Sequence, residues 1–246
     1  MTPLKYLEAV RGILTHLEET QLESVEEAAS IVVESLKNGG AIFLSGIGHG
    51  NEQDFLNRAG GLAALQAFSF NFNINNPVPE CKANRPRPEP VEVDLETARF
   101  AVRAGNLRAG DVLVLGSVSG KNRGPIELAM ACRDAGVKVI GITSLTYTAN
   151  VQSLHPSGKK LCDVVDVVID NGAPYGDAAV DIPGFDFKLL PVSGVSAIVA
   201  GWMIWGRVIE IMTGAGDPPS VFMSVNRDGG QAYYEKSRAE FNRRGY

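Results

Sequence analysis

The chain has 246 residues, of which 45% are hydrophobic, 21% charged and 7% aromatic. That is enough for one large α/β unit with a full core and too little for two ordinary domains. Its 23 Lys and Arg against 28 Asp and Glu give a formal net charge of -5, which excludes a global basic field for a nucleic-acid backbone but not a local site for a small anion. The three cysteines, Cys81, Cys132 and Cys162, are far apart, odd in number and form no C-x-x-C pair. This usage points to a reduced, cytoplasmic chain rather than a disulfide scaffold.

The N-terminal residues MTPLKYLEAVRGILTHLEE are charged throughout and show no apolar leader. Thr2-Pro3 reads as an N-cap and first-turn pair, and Leu4, Leu7, Val10, Ile13, Leu14 and Leu17 recur at helical spacing. Ser24 and Glu27 read as a capping box for a second helix, which Asn38-Gly39-Gly40 ends. AIFLSGIGHG (Ala41 to Gly50) is a short apolar strand entering a glycine-rich loop, and Asn51 is expected to open a short helix. A second strand-loop-helix starts at Asp111, a third strand runs from Val137 to Ser144, and a fourth from Asp163 to Asp170. Fully apolar strands alternating with helices predict an α/β fold, a doubly wound parallel sheet with its ligand at the carboxyl ends of the strands.

Two stretches interrupt the alternation. Phe70 to Pro90 carries five prolines and five asparagines, a long connection of the kind that serves as a lid or binding loop or stays disordered. Asn171 to Pro191 reads as loop and short strands. It leads to an apolar helix from Val195 to Met212 with two tryptophans. The uncharged run Leu189 to Gly206 reaches the length of a membrane span, but Pro191, Ser193, Ser196 and three glycines interrupt it. A buried core or interface helix is the reading, with no membrane partner. A polar helix from Gln231 to Arg244 closes the chain.

The chemistry-bearing loops lie where strands end. Ser117-Val-Ser119-Gly120-Lys121-Asn122 offers two hydroxyls, a permissive glycine, a lysine and a helix N-terminus, an arrangement suited to a phosphate. A plain strand-to-helix turn capped by Ser119 is the competing reading. Gly46-Ile-Gly48-His49-Gly50 invites a dinucleotide fingerprint, but the third glycine falls at Asn51 and no acidic residue follows at the required distance. A nicotinamide enzyme is therefore disfavoured. His16, His49 and His155 have neither mutual i, i+4 spacing nor a nearby Cys, so no transition-metal site is expected. His16 reads as a surface residue, and His49 sits where an acid or base is useful. No G-x-S-x-G elbow is present.

The order G-I-G-H-G, S-V-S-G-K-N, G-I-T-S resembles the sugar isomerase (SIS) domain, a flavodoxin-like phosphosugar-binding fold. RAGGLA (Arg58 to Ala63), SGKNRGPIELA (Ser119 to Ala129), ITSLTYTANVQSLHPSGKKL (Ile142 to Leu161), DNGAPYGDAAV (Asp170 to Val180) and PPSVFMSVNRDGG (Pro218 to Gly230) are similar to a bacterial SIS subfamily related to phosphoheptose isomerases. The resemblance implies one SIS domain over 1-246, with helices over 1-40, a core over 41-230 and a C-terminal helix over 231-246. It implies phosphate contacts from Ser117, Ser119, Gly120, Lys121 and Asn122, with Thr143 and Ser144 beside them. Gly48, Gly50, Asn51, His155 and Asp177 are then expected near the sugar. The family's first loop reads G-x-G-x-S, and here Gly50 stands at the serine position.

An aldose–ketose isomerase moves a proton between neighbouring carbons through a cis-enediol, which needs an acid/base pair and no metal, nucleotide or other cofactor. His49, Glu52 and Glu127 are the catalytic candidates, with Asp54 a further carboxylate on the segment after the first loop. The resemblance also implies a homodimer or homotetramer. A related phosphosugar lyase acting next to a sugar carbonyl and a phosphosugar-sensing module without turnover stay open, although for the latter the acidic 40 residues before the first strand are too short for a DNA-binding domain.

Overall fold

The computed structural model describes residues 1–49, 52–86 and 92–246. Strands β1 (Ile42–Gly48), β2 (Leu65–Phe68), β3 (Val112–Gly116), β4 (Lys138–Thr143) and β5 (Val167–Asp170) form one five-stranded sheet in the order β2-β1-β3-β4-β5. All four pairings are parallel. This is the doubly wound, flavodoxin-like order, whose switch point lies between β1 and β3. Parallel strands covered on both faces must be apolar on both, and every residue of β3 is buried.

Helices α1 (Thr2–Thr20), α2 (Leu22–Lys37) and α6 (Ser193–Gly214) cover one face, where Ile42, Leu44, Val112, Val114, Ile140 and Ile142 meet Val32, Leu36, Ile204 and Trp205. Helices α3 (Val93–Ala104) and α4 (Arg123–Asp134) cover the other, over Leu113, Leu115 and Val139. The alternation of odd and even strand residues between two cores is the period-2 rule of a pleated sheet. A short α5 (Leu145–Ala149) follows β4, and α7 (Gly230–Arg244) closes the chain. An antiparallel pair, β6 (Ala178–Val180) and β7 (Leu189–Pro191), stands apart from the main sheet.

Several boundaries differ from the sequence expectation. Thr2 is already helical and Met1 precedes it without a side-chain cap. The Ser24 capping box does not form: α2 begins at Leu22, because Gln21 breaks the chain and directs Oε1 to the Asp170 N–H at 2.8 Å. The helix expected after Asn51 is a single tight turn, Glu52–Asp54. Of the strand expected from Asp163, Asp163 ends a helical turn, Leu161–Asp163, residues 164–166 are irregular, and β5 starts only at Val167. Strand β2 and helix α3 were not foreseen. The long Phe70 to Pro90 stretch is irregular over its described residues apart from one turn, Glu80–Lys82.

Helix α6 is long and apolar enough to cross a membrane by length and composition. Here its Ala197, Ala200, Ile204, Trp205, Val208 and Met212 are buried in the core against α2 and the sheet. Gly201 lets Phe55 lie against the helix, since a Cβ there would meet the ring at 2.3 Å. Two of the sequence motifs pair directly: Leu62 bridges Val221, and Gly60 and Ala63 donate to the carbonyls of Phe222 and Ser220.

Candidate active site

At the switch point the loops after β1 and β3 lie side by side. His49 N–H donates to the Gly116 carbonyl at 2.8 Å. Gly48 has φ +79°, and a Cβ there would come within 2.2 Å of the Gly116 oxygen, so only glycine permits this approach. Ile47 reaches across to Gly124 in the first turn of α4. His49 and Gly48 are exposed on the rim, Glu52 is half-buried with its carboxylate over Gly46, and Asp54 pairs with Arg58 at 3.2 Å. Gly50 and Asn51, expected near the sugar, lie outside the described residues.

The loop from Ser117 to Asn122 is held by its carbonyls. Those of Ser117, Val118, Ser119, Gly120 and Lys121 accept, in order, from Gly120 N, Ser144 N, Thr148 Oγ1, Leu161 N and Leu154 N at 2.8–3.1 Å. Gly120 turns the chain at φ +62°, with Thr148 Oγ1 2.7 Å from where a Cβ would stand. The amides of Ser119, Lys121 and Asn122 and the hydroxyls of Ser117 and Ser119 have no hydrogen-bond partner among the described residues. A run of unpaired N–H groups at the positive end of a 12-residue helix is an anion-binding arrangement.

Thr143 and Ser144 support this loop from below. The Thr143 hydroxyl donates to the Ser117 carbonyl at 2.6 Å and that of Ser144 to the Ala173 carbonyl at 2.5 Å, while Ser144 Oγ also accepts from Tyr147 N. Both residues are fully buried; the Thr143 hydroxyl and the Ser144 backbone N–H hold the loop's carbonyls, while the Ser144 hydroxyl caps α5 and ties it to Ala173.

Three further expectations are corrected. Glu127 is no rim acid. It is 1% exposed, bonded through Oε2 to His155 Nε2 at 2.7 Å and through Oε1 to Arg99 of α3. Burial pushes its pKa up, but the Arg99 and His155 bonds outweigh that and hold the carboxyl below the usual glutamate value of 4.5. His155 is buried with it. Asp177, at φ 65°, accepts from Val192 N, Ser193 N and Ser193 Oγ at 2.7–3.3 Å, which makes it the N-terminal cap of α6 rather than a free sugar ligand. His16, expected as a partly exposed surface residue, is one, with its side chain 30% exposed and paired with Asp170 at the end of β5 at 3.3 Å.

Sequence reasoning missed Arg99 and Arg123. Arg123 follows the loop directly and bonds Asp94 of α3 at 2.8 Å, with Glu92 a second partner. The Arg123 hydrogen bond holds the Asp94 carboxyl below its ordinary range. Beside this pair a cleft of about 550 Å³ is lined by Ile47, Phe70, Phe72, Val93, Asp94 and Thr97. The start of the Pro-rich stretch is therefore one wall of a cleft at the carboxyl edge of the sheet.

Comparison with known proteins shows the family and the fold. Residues 5–144 match the family model described as SIS domain. A UPF0309 protein of Listeria monocytogenes is 33% identical over 97% of this chain and 95% of its own length. A UPF0309 protein of Streptomyces griseus is 31% identical over 98% and 95%. The solved phosphoheptose isomerase of Neisseria gonorrhoeae superposes with a TM-score of 0.50 at 18% identity, over 82% of this chain and 94% of that one.

Proposed function

We propose that this chain, which belongs to the SIS-domain family, binds a phosphosugar and interconverts its aldose and ketose forms by proton transfer. The observation that carries the reading is the Ser117–Asn122 loop, with unpaired amides and hydroxyls at the start of α4 and His49 on the neighbouring rim. Ser117, Ser119, Gly120, Lys121 and Asn122 take the phosphate: neutral N–H donors and the helix dipole fix the anion, and Lys121 adds charge. Thr143 and Ser144 act beneath them by fixing the loop's carbonyls.

With Glu127 enclosed, proton transfer falls to the first loop, where His49 and Glu52 are the candidates. The base takes the proton from the carbon next to the carbonyl while the carbonyl oxygen gains one from the acid, giving the enediol; the proton then returns to the former carbonyl carbon as the second oxygen gives up its own. This chemistry asks for no metal, redox or nucleotide cofactor. A reading without turnover is favoured by Gly50, which removes the hydroxyl that SIS first loops carry. The whole chain acts as one unit in the cytoplasm. The half-exposed apolar face of α6, with Val195 and Trp202, supports assembly as a homodimer or homotetramer.

A thermal-shift screen of hexose, heptose and N-acetylhexosamine phosphates beside the unphosphorylated sugars tests the reading, because any native-state ligand raises Tm. Stabilisation by a phosphorylated member alone supports it, and NMR of that ligand then separates turnover from binding. Response to free sugars or nucleotides only would overturn it. Ser119→Ala is expected to weaken the phosphosugar by roughly 1.5–3 kcal/mol, the range for a hydrogen bond to a charged group, as measured by calorimetry.

A further inference from the structure

The anion loop keeps its amides outward only while its carbonyls are held from behind. Most of that holding comes from residues after β4, and above all from the segment 151–161. Leu154 N–H donates to the Lys121 carbonyl at 2.9 Å, and Leu161 N–H to that of Gly120 at 2.8 Å. Lys160 Nζ ties the same segment to the Thr148 carbonyl at 2.6 Å. Apart from its last residue this segment has no helix or strand of its own, and Leu154, Pro156, Ser157, Gly158 and Lys159 are exposed. Leu161 is buried and fixes one end. The middle has a single inward-pointing side chain, His155.

The His155 side chain is 4% exposed and makes polar contacts on both sides. Ser157 N–H donates to Nδ1 at 3.2 Å and Ser157 Oγ lies 2.7 Å from it. A backbone N–H aimed at Nδ1 requires a lone pair there, so Nε2 carries the proton that goes to Glu127 Oε2 at 2.7 Å. The other Glu127 oxygen receives Arg99 from α3. A carboxylate this deep is destabilising without partners, and it lies too far inside to touch a substrate on the rim. Five residues of helix separate it from Asn122, a rise of about 7.5 Å.

We infer that Arg99, Glu127 and His155 form a positioning unit that clamps the 151–161 segment to α4, so that Gly120 and Lys121 turn their carbonyls inward and the loop's amides toward the anion. The inference rests on the phosphate assignment above for its consequence in binding. The clamp itself is a statement about the loop. His155 and Glu127 are thus positioning residues, acting through the loop without touching the ligand.

The test uses the full-length protein, inorganic phosphate as the probe, and amide hydrogen exchange. His155→Ala is expected to lower the protection of the Leu154 and Leu161 amides at least tenfold and to weaken phosphate about tenfold. His155→Gln, whose amide nitrogen reaches the place of Nε2, restores both. Val208→Ala in α6 lowers Tm through the opposite core and leaves phosphate affinity of the folded protein unchanged. Full protection, or wild-type affinity, in His155→Ala would overturn the clamp, as would an equal loss of affinity in Val208→Ala. Should His155→Ala not fold, Ser157→Ala removes the hydroxyl contact to Nδ1 and the acceptor of Lys159 N while the Ser157 N–H stays on the ring: severalfold weaker phosphate with faster Leu154 exchange supports the clamp, and unchanged affinity and exchange overturn it. If the wild-type protein gives no phosphate signal, the binding reading falls. Exchange then decides the clamp by itself, loss of protection supporting it and persistence overturning it.

Discussion

Two histidine–carboxylate pairs at the carboxyl edge of the sheet make the same contact in different surroundings. His155 and Glu127 meet at 2.7 Å with side chains 4% and 1% exposed, whereas His16 and Asp170 meet at 3.3 Å with 30% and 12% exposed. In the first pair each partner replaces water that the other has lost, and removing either leaves a buried polar group stranded. In the second, water stands ready to take the place of His16, and Asp170 keeps backbone donors in Leu145 and Gly172. Burial, rather than the pairing itself, decides which contact organises the molecule.

Glu127→Ala is the strongest way to break that contrast. It strands His155 and frees Arg99, and the expected cost is about 3 kcal/mol, a fall in Tm of roughly 6–12 °C for a chain of this size. The deficit also depends on pH. Because the folded carboxyl lies below 4.5, its contribution is fully present at neutral pH and is lost as pH falls below 4.5 through the folded value. Denaturation of wild type and variant from pH 7 to pH 3 should therefore show the gap narrowing only on the acid side. A gap that stays constant would remove ion pairing as its source.

Asp177 offers an intermediate case, a half-buried carboxylate serving backbone amides instead of a histidine. Asp177→Ala uncaps the longest helix and is expected to cost about 1–2 kcal/mol in urea denaturation. His16→Ala should cost less than about 1 kcal/mol, and the difference should shrink further in high salt. If His16→Ala matched Glu127→Ala in calorimetry, burial would not be the deciding variable.

The legible parts of the fold were those written in contiguous residues. Strands β1, β3 and β4 are mostly apolar runs followed by glycine or hydroxyl loops, and the Ser117–Asn122 loop carries all its donors within six positions. Strand β2 is only Leu65–Phe68, an edge strand with two of its residues facing out, so no apolar run announces it. Helix α3 begins just past the Pro-rich stretch and is polar on average. The site's hidden half was illegible for a different reason. Arg99 stands 28 residues before Glu127 and His155 28 after it, and nothing local to any of them tells that the fold brings them together. Glu127 read as a catalytic candidate because seclusion is a tertiary property that the sequence does not print. His49 comes beside the Ser117–Asn122 loop because β1 and β3 both end in glycine-bearing turns that only the switch point makes neighbours.

The partnership of α2 with α6 has a consequence for biosynthesis. The apolar stripe of α2, Val25, Ala28, Ala29, Val32, Val33 and Leu36, emerges from the ribosome early, while its cover at Ser193–Gly214 is made near the end. At about 5–20 residues per second, the nascent chain waits roughly 10–30 s between the two. During that interval one side of the growing sheet is wet and sticky, and contacts this distant in sequence form slowly even after release. The long apolar segment Ser193–Gly214 is thus the late-translated piece that seals the face of the core laid down with α2.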